Sequence, residues 1–286
     1  MVRRSLLAAT AVAVPLLLAG QAAAATKPVC SLSGSSALQE RGVLTLSTDN
    51  PAFPPWFGGG EKNPPWKIND PSTGKGYESA VAYEVARRIG FARNKVKWVY
   101  TPFDKSFAPG DKDFDLFFNQ VSYSPARARN VAFSLSYYNV TQAVVVRNGT
   151  PIARARTIAA LKPYRFGAMR GTTSLDAINQ RIKPDQTPRV YPNNVNAVNA
   201  LKNGQIDAVV VDLPTAYFVT AVQVPNGKIV GQLPAEANPE YFGAVAQKGS
   251  PLMSCVNKAL RQMRRDKTLK KLEQKWLAGA SAPFLR

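Results

Sequence analysis

Two periodicities alternate along most of the chain. Short apolar runs closed by polar or turn-forming residues read as buried strands: GVLTLSTD (42–49), VKWVY (96–100), FDLFF (114–118), QAVVVR (142–147), FGAM (166–169), DAVVVD (207–212) and YFGAVAQ (241–247). Between them, ESAVAYEVARRIGF (78–91) places Ala82, Val85, Ala86 and Ile89 at helical spacing and stops at Gly90. TTSLDAINQRI (172–182) behind Gly171, VNAVNALKNGQ (195–205) with Gly204 as its stop, and LPTAYFVTAV (213–222) with proline in its first turn predict further helices. PLMSCVNKALRQMRRD and TLKKLEQKWL close the chain as two more. Strands and helices in this order predict an α/β fold. The loop NPAFPPWFGGG (50–60) is too rich in Pro and Gly to be regular, residues 26 to 38 read as a short Ser- and Ala-rich tether, and no internal repeat is visible.

Open α/β sheets bind ligands at the carboxyl ends of their strands, and four predicted strand ends carry polar groups. They are Asp49, the stretch Asn119 to Ser122 with Arg127, the turn Gly171-Thr172-Thr173, and Asp212. Singly, each has a plain explanation: Arg127 as a surface arginine, Thr172 and Asp212 as helix N-caps. Together they fit one ligand type. An arginine fork and a helix N-terminus suit a carboxylate, and Asp212 supplies the opposite charge. An α-amino acid needs both, with its carboxylate on Arg127 and Thr173 and its ammonium on Asp212, helped by Ser122 and the Gln120 carbonyl.

Composition narrows the setting. The start, MVRRSLLAATAVAVPLLLAGQAAAAT, has a basic beginning, an apolar run broken by Pro15 and a small-residue end near Ala25, which reads as a secretory signal peptide over residues 1–25. Arg3-Arg4 leaves both the general and the twin-arginine export routes open. Cleavage would remove two arginines and no acid, leaving 35 basic side chains against 18 acidic ones. Outside the cytoplasm, anionic cell-envelope polymers are more plausible neighbours of such a surface than nucleic acid, and a simply solvated basic surface is the plainest account. Two cysteines in an exported chain, Cys30 and Cys255, read as one disulfide, and a loop of this length is worth about 4 to 5 kcal/mol in chain-entropy terms. The Thr, Lys and Pro ahead of Cys30 argue against lipid attachment there. With no histidine and two distant cysteines, a zinc site and His-based dyads or triads are excluded. No cofactor or metal is expected.

Along nearly the whole chain after the leader, the residues resemble the extracytoplasmic amino-acid-binding proteins of ABC importers, solute-binding family 3. The matching stretches are GVLTLSTDNPAFPPW, GYESAVAYEVARRIG, DLFFNQVSYSPARARNVAFSLSYY, FGAMRGTTS, ALKNGQIDAVVVDLPTA and KALRQMRRDKTLKKLEQKW. The resemblance implies a type II periplasmic-binding fold, two lobes with the ligand in the cleft between them and chain crossings near Thr141 and Tyr241. Lobe 1 would comprise 26–141 plus 242–286, and lobe 2 would comprise 142–241. It also implies that Arg127 grips the α-carboxylate with Thr173 and Thr172, that Ser122 contacts the bound backbone, and that Asp212 holds the ammonium. Asp49 would reach the ligand side chain, and Phe53, Trp56 and Phe103 would form apolar walls. Glu78 stands where many relatives carry Asp and is given no ligand role. The partners implied are a free amino acid and a membrane permease, and the protein is expected to act as a monomer that changes no bond in its ligand. Asp49 favours a side chain that donates hydrogen bonds, Gln or a basic one, since a buried carboxylate would repel an acidic side chain.

Two other classes compete. One is an enzyme on the same fold resembling the periplasmic cyclohexadienyl dehydratases, with Glu78 or Asp49 as general acid. The other is a surface sensor or adhesion module using basic residues such as Lys258, Arg261 and Arg264.

Overall fold

The structure, a computed structural model, describes residues 28–286 apart from 31, 33, 235 and 278–280. The expected leader lies outside the described residues. Five strands form the first sheet: β1 (Leu44–Thr48), β2 (Val96–Tyr100), β3 (Leu116–Phe117), β4 (Val131–Phe133) and β12 (Val245–Gln247), in the order β2-β1-β3-β12-β4. β1 is parallel to β2 and β3, and β12 runs antiparallel to β3 and β4. Helix α1 (Tyr77–Arg88) turns Val81, Ala82, Val85 and Ala86 into the core, where α6 (Leu252–Arg265) meets it with Val256, Ala259 and Leu260. α7 (Thr268–Leu277) packs on α1. Gly76 opens α1 at φ +90, and a Cβ there would stand 2.5 Å from the Trp56 carbonyl oxygen, so only glycine lets the aromatic loop lie against the helix start. Cys30 and Cys255 form a disulfide, with Cα atoms 5.8 Å apart, that ties the described N-terminal segment to α6.

The second sheet orders its strands β10-β6-β9-β7-β8. These are β6 (Gln142–Arg147), β7 (Phe166–Met169), β8 (Arg189–Tyr191), β9 (Ala208–Asp212) and β10 (Gly227–Gln232). Both faces of this sheet are covered, which is why β6 and β9 are continuous apolar runs. The two-residue period splits them: Val144, Val146, Ala208 and Val210 face Ile178 and Ile182, while Ala143, Val145, Val209 and Val211 face α4 (Asn194–Lys202) and α5 (Leu213–Phe218). The short helices α2 (Pro125–Ala128) and α3 (Thr173–Ala177) begin beside the gap between the sheets.

Two short strands, β5 (Tyr138–Asn139) and β11 (Tyr241–Phe242), pair antiparallel where the chain passes between the sheets. With one sheet in each lobe, this is the two-lobed type II periplasmic-binding architecture. The expected allotment of 242–286 to the first lobe does not extend to the last residues. Gln232 N–H donates to the Pro283 carbonyl, Leu285 N–H to the Gln232 carbonyl, and the Leu285 side chain is buried in the second lobe's core. A Phe-Leu pair after proline at the very end of the chain is too short to show a periodicity from which that docking could be read.

Candidate functional site

Parallel β1, β3, β7 and β9 all point their carboxyl ends at the gap between the sheets, and antiparallel β6 brings its first residue there, Gln142 pairing with Asp212. The cleft divides into two adjoining chambers. The inner one, about 60 Å³, is lined by Ser122, Arg127, Gln142, Thr172, Thr173 and Asp212. The outer one, about 290 Å³, is lined by Asp49, Phe53, Tyr100, Asp104, Arg170 and Asn193 among others. Phe103, Asn119, Gln120, Met169 and Asn194 line both. The inner chamber has room for a charged head group and little more.

Arg127 is buried at the end of α2, its guanidinium lying 4.3 Å from the Phe107 ring centre. It donates to the Ser122 carbonyl and, across the gap, to the Gly171 carbonyl, both at 2.6 Å. Two of its five N–H groups are so used, which fixes the plane of the fork and leaves donors for the chamber. Burial draws its pKa down to about 10, with Asp176 and Glu240 opposing, so it stays cationic.

Asp212 caps α5. Its carboxylate accepts from Thr215 N–H at 3.0 Å and from the Thr215 hydroxyl at 2.8 Å, and Thr172 likewise caps α3, accepting from Leu175 N–H at 3.2 Å. The plain capping roles are therefore real, and both residues also line the inner chamber. Burial raises the Asp212 acid to about 6, Thr215 pulling it down and Glu240 pushing it up. In the outer chamber burial raises Asp49 to about 6, the Asn50 and Phe103 N–H groups lowering it and the Asp104 charge raising it.

Gln120 holds a left-handed backbone, φ +50, uncommon for a side chain of this kind. The cause lies underneath: fully buried Glu78 accepts from Gln120 N–H at 2.6 Å, from the Gln120 amide at 2.8 Å and from the Tyr137 hydroxyl at 2.5 Å. Burial pushes the Glu78 acid up to about 7 despite these donors. Glu78 lines neither chamber; it positions the turn.

Of the expected walls, Phe53 and Phe103 line the outer chamber and Trp56 does not. Trp56 is wholly buried among Tyr77, Tyr138 and Phe242, and its indole N–H reaches the Thr215 hydroxyl in the other lobe at 2.9 Å. A tryptophan two residues past Pro54 has no sequence signal separating wall from lobe-to-lobe contact.

Two further polar residues have no sequence signal. Gln142, which lines the inner chamber, opens an apolar strand, and Glu240, which lines a separate pocket with Tyr123, Asp176 and Arg181 beyond Thr173, lies in a loop without periodicity. The Glu240 carboxylate accepts from Ser122 at 2.5 Å, from Thr173 at 2.6 Å and from the Gln142 amide at 3.0 Å. Among the described residues no cluster of acidic, His or Cys side chains is placed to hold a metal, and no helix is long and apolar enough to cross a membrane.

The chain is similar to an arginine-binding protein 1 of an ABC transporter from Escherichia coli strain K12, 29% identical over 58% of this chain and 67% of that protein. Among solved structures, an ancestral arginine-binding protein bound to glutamine is 28% identical, with a TM-score of 0.67 over 84% of this chain and 99% of that one. An ancestral amino-acid-binding protein described as a precursor of cyclohexadienyl dehydratase is 27% identical, with a TM-score of 0.65 over 82% and 95%. The model for "bacterial extracellular solute-binding proteins, family 3" matches residues 57–279. Strand ends facing a gap between two sheets, and a sequence match across most of the chain, together show that the protein belongs to the bacterial extracellular solute-binding proteins of family 3.

Proposed function

We propose that this protein captures a free amino acid with a cationic or amide side chain in the cleft and delivers it to the membrane permease of an ABC importer. It would act as an exported monomer, with lobe boundaries near Thr141 and Tyr241. The head group sits in the inner chamber, its carboxylate on Arg127 and its ammonium on Asp212 and the Gln120 carbonyl. The side chain extends into the outer chamber.

The observation that carries the choice of side chain is that two carboxylates, Asp49 and Asp104, line that chamber; burial is the main cause that raises the Asp49 acid, and the Asp104 charge adds to it. A donor side chain relieves the repulsion between the two, and an acidic one would deepen it. An arginine-binding protein and an ancestral arginine-binding protein bound to glutamine, both similar to this chain, support the same class. A ligand that touches both lobes has more contacts when they are together, so binding shifts the population towards the closed form that a permease would recognise.

Calorimetric titration of the purified protein with L-arginine, L-lysine, L-glutamine and L-glutamate tests the selectivity. Binding of one or more of the first three is expected, and Asp49→Asn is expected to weaken a cationic ligand by about tenfold or more, the scale of one charge-assisted contact. Tight binding of L-glutamate alone would overturn the assignment of Asp49 to the ligand side chain.

A further inference from the structure

A hydroxyl has one proton to give. At the inner chamber Ser122 and Thr173, the two hydroxyls placed to meet a ligand's carboxylate, both direct theirs to the same oxygen of Glu240, at 2.5 and 2.6 Å. The hydroxyl oxygens are 3.2 Å apart, so the carboxylate sits in the fork between them. Gln142 completes the grip with its amide on both Glu240 oxygens, at 3.0 and 3.1 Å, and its own carbonyl accepts from buried Ser174 at 2.7 Å, which fixes the amide orientation.

Glu240 is also anchored. Its backbone carbonyl accepts from Val140 N–H at 3.0 Å, one residue beyond the β5–β11 pairing, so the side chain stands on the ribbon that joins the lobes. Its partners come from both sides: Ser122 follows the first sheet, and Thr173 and Gln142 belong to the second.

We propose that Glu240 is a specificity-determining residue: a tethered carboxylate that competes with the ligand's α-carboxylate for Ser122 and Thr173. This rests on the amino-acid-binding reading above. While Glu240 holds both protons, the two hydroxyls offer a ligand only lone pairs, and a second carboxylate meets Arg127 without them. The site's preference for a free carboxylate over a neutral carboxamide is thereby blunted. A carboxamide can give an N–H to Glu240 while its carbonyl accepts from Arg127.

The test compares L-arginine with L-argininamide, and L-glutamine with its α-carboxamide, by calorimetry on wild type, Glu240→Gln and Glu240→Asp. In wild type the acid is expected to bind less than about tenfold better than its amide, one charge-assisted hydrogen bond's worth. Glu240→Gln removes the competing charge and frees a hydroxyl proton, and is expected to tighten the acid by about tenfold or more while leaving the amide within a few-fold. Glu240→Asp, too short to reach both hydroxyls, should move the same way by less. A wild-type preference for the acid of about a hundredfold or more overturns the proposal without any variant. So does a Glu240→Gln protein that folds and binds acid and amide more weakly by the same factor, the behaviour of a merely structural contact. Wild type that binds none of these compounds, nor any other amino acid, overturns the binding reading itself.

Discussion

Charge at the cleft is set residue by residue, and the same residues predict how the protein answers to pH. Asp49, Asp212 and Glu78 have folded values raised to about 6, about 6 and about 7, from ordinary values of 3.8, 3.8 and 4.5, and burial is the largest cause in each. Between the unfolded and the folded value the native protein binds the extra proton, so each group adds stability as pH falls through that window and withdraws it as pH rises. A bound ammonium instead needs the Asp212 carboxylate. The thermal midpoint of the ligand-free protein is therefore expected to rise from about pH 7.5 to about pH 5 while affinity for an amino acid falls. Affinity that stays flat across that range would remove Asp212 as the ammonium partner. Asp212 stands out in the sequence because it ends an apolar strand, and Arg127 because it follows a polar strand-end stretch and a Ser-Pro turn. Gln142 does not, since a glutamine at the start of an antiparallel strand looks like ordinary punctuation. Glu240 gains its place only through pairing with a segment 118 residues away, a separation no local pattern reports.

At the scale of elements, α5 and the aromatic loop form one device. Trp56 from the first lobe donates to Thr215, and Thr215 donates to Asp212, so the hydroxyl that receives the lobe-to-lobe contact also holds the carboxylate proposed to meet the ammonium. Thr215→Val keeps the size and the backbone cap but leaves the buried indole N–H and one Asp212 oxygen without this partner. Removing such a partner costs about 1 to 3 kcal/mol. Affinity should drop by roughly tenfold or more, read by calorimetry; unchanged affinity would mean the contact does not distinguish bound from free protein. Helix α4 and strands β6 and β9 were plain in the sequence because long one-sided or fully apolar periods leave little choice. β4, β5, β8 and β10 give no such pattern: β4 and β5 are three and two residues long, Arg189 and Val190 of β8 are exposed at a sheet edge, and β10 carries two glycines. The stretches predicted as helices over 172–182 and 213–222 widen into π-turns at Ile178–Ile182 and Val219–Gln223, a change of winding that amphipathic spacing does not resolve.

For the whole molecule, the layout separates what holds each lobe from what joins them. The disulfide links Cys30 to α6, both beside the first sheet, so it stabilises that lobe without bridging the cleft. The contacts across the gap among the described residues are mixed instead: hydrogen bonds from Arg127 to Gly171, from Trp56 to Thr215, and from Ser122 through Glu240 to Thr173 and Gln142, with Phe53 against Phe218 at 6.4 Å between ring centres and Met169 packed on the Phe103 cluster. An amino acid adding its own carboxylate and ammonium to that set would stabilise the closed arrangement by mass action. The most direct measurement is thermal unfolding of the protein, freed of carried ligand by unfolding and refolding, against each of the twenty amino acids and prephenate. A ligand at about 100 times its dissociation constant adds roughly 2.7 kcal/mol. A rise in midpoint with one or a few cationic or amide amino acids, abolished in both Arg127→Ala and Asp212→Ala, is the predicted result. No rise with any amino acid, or a rise that survives both substitutions, would contradict the account.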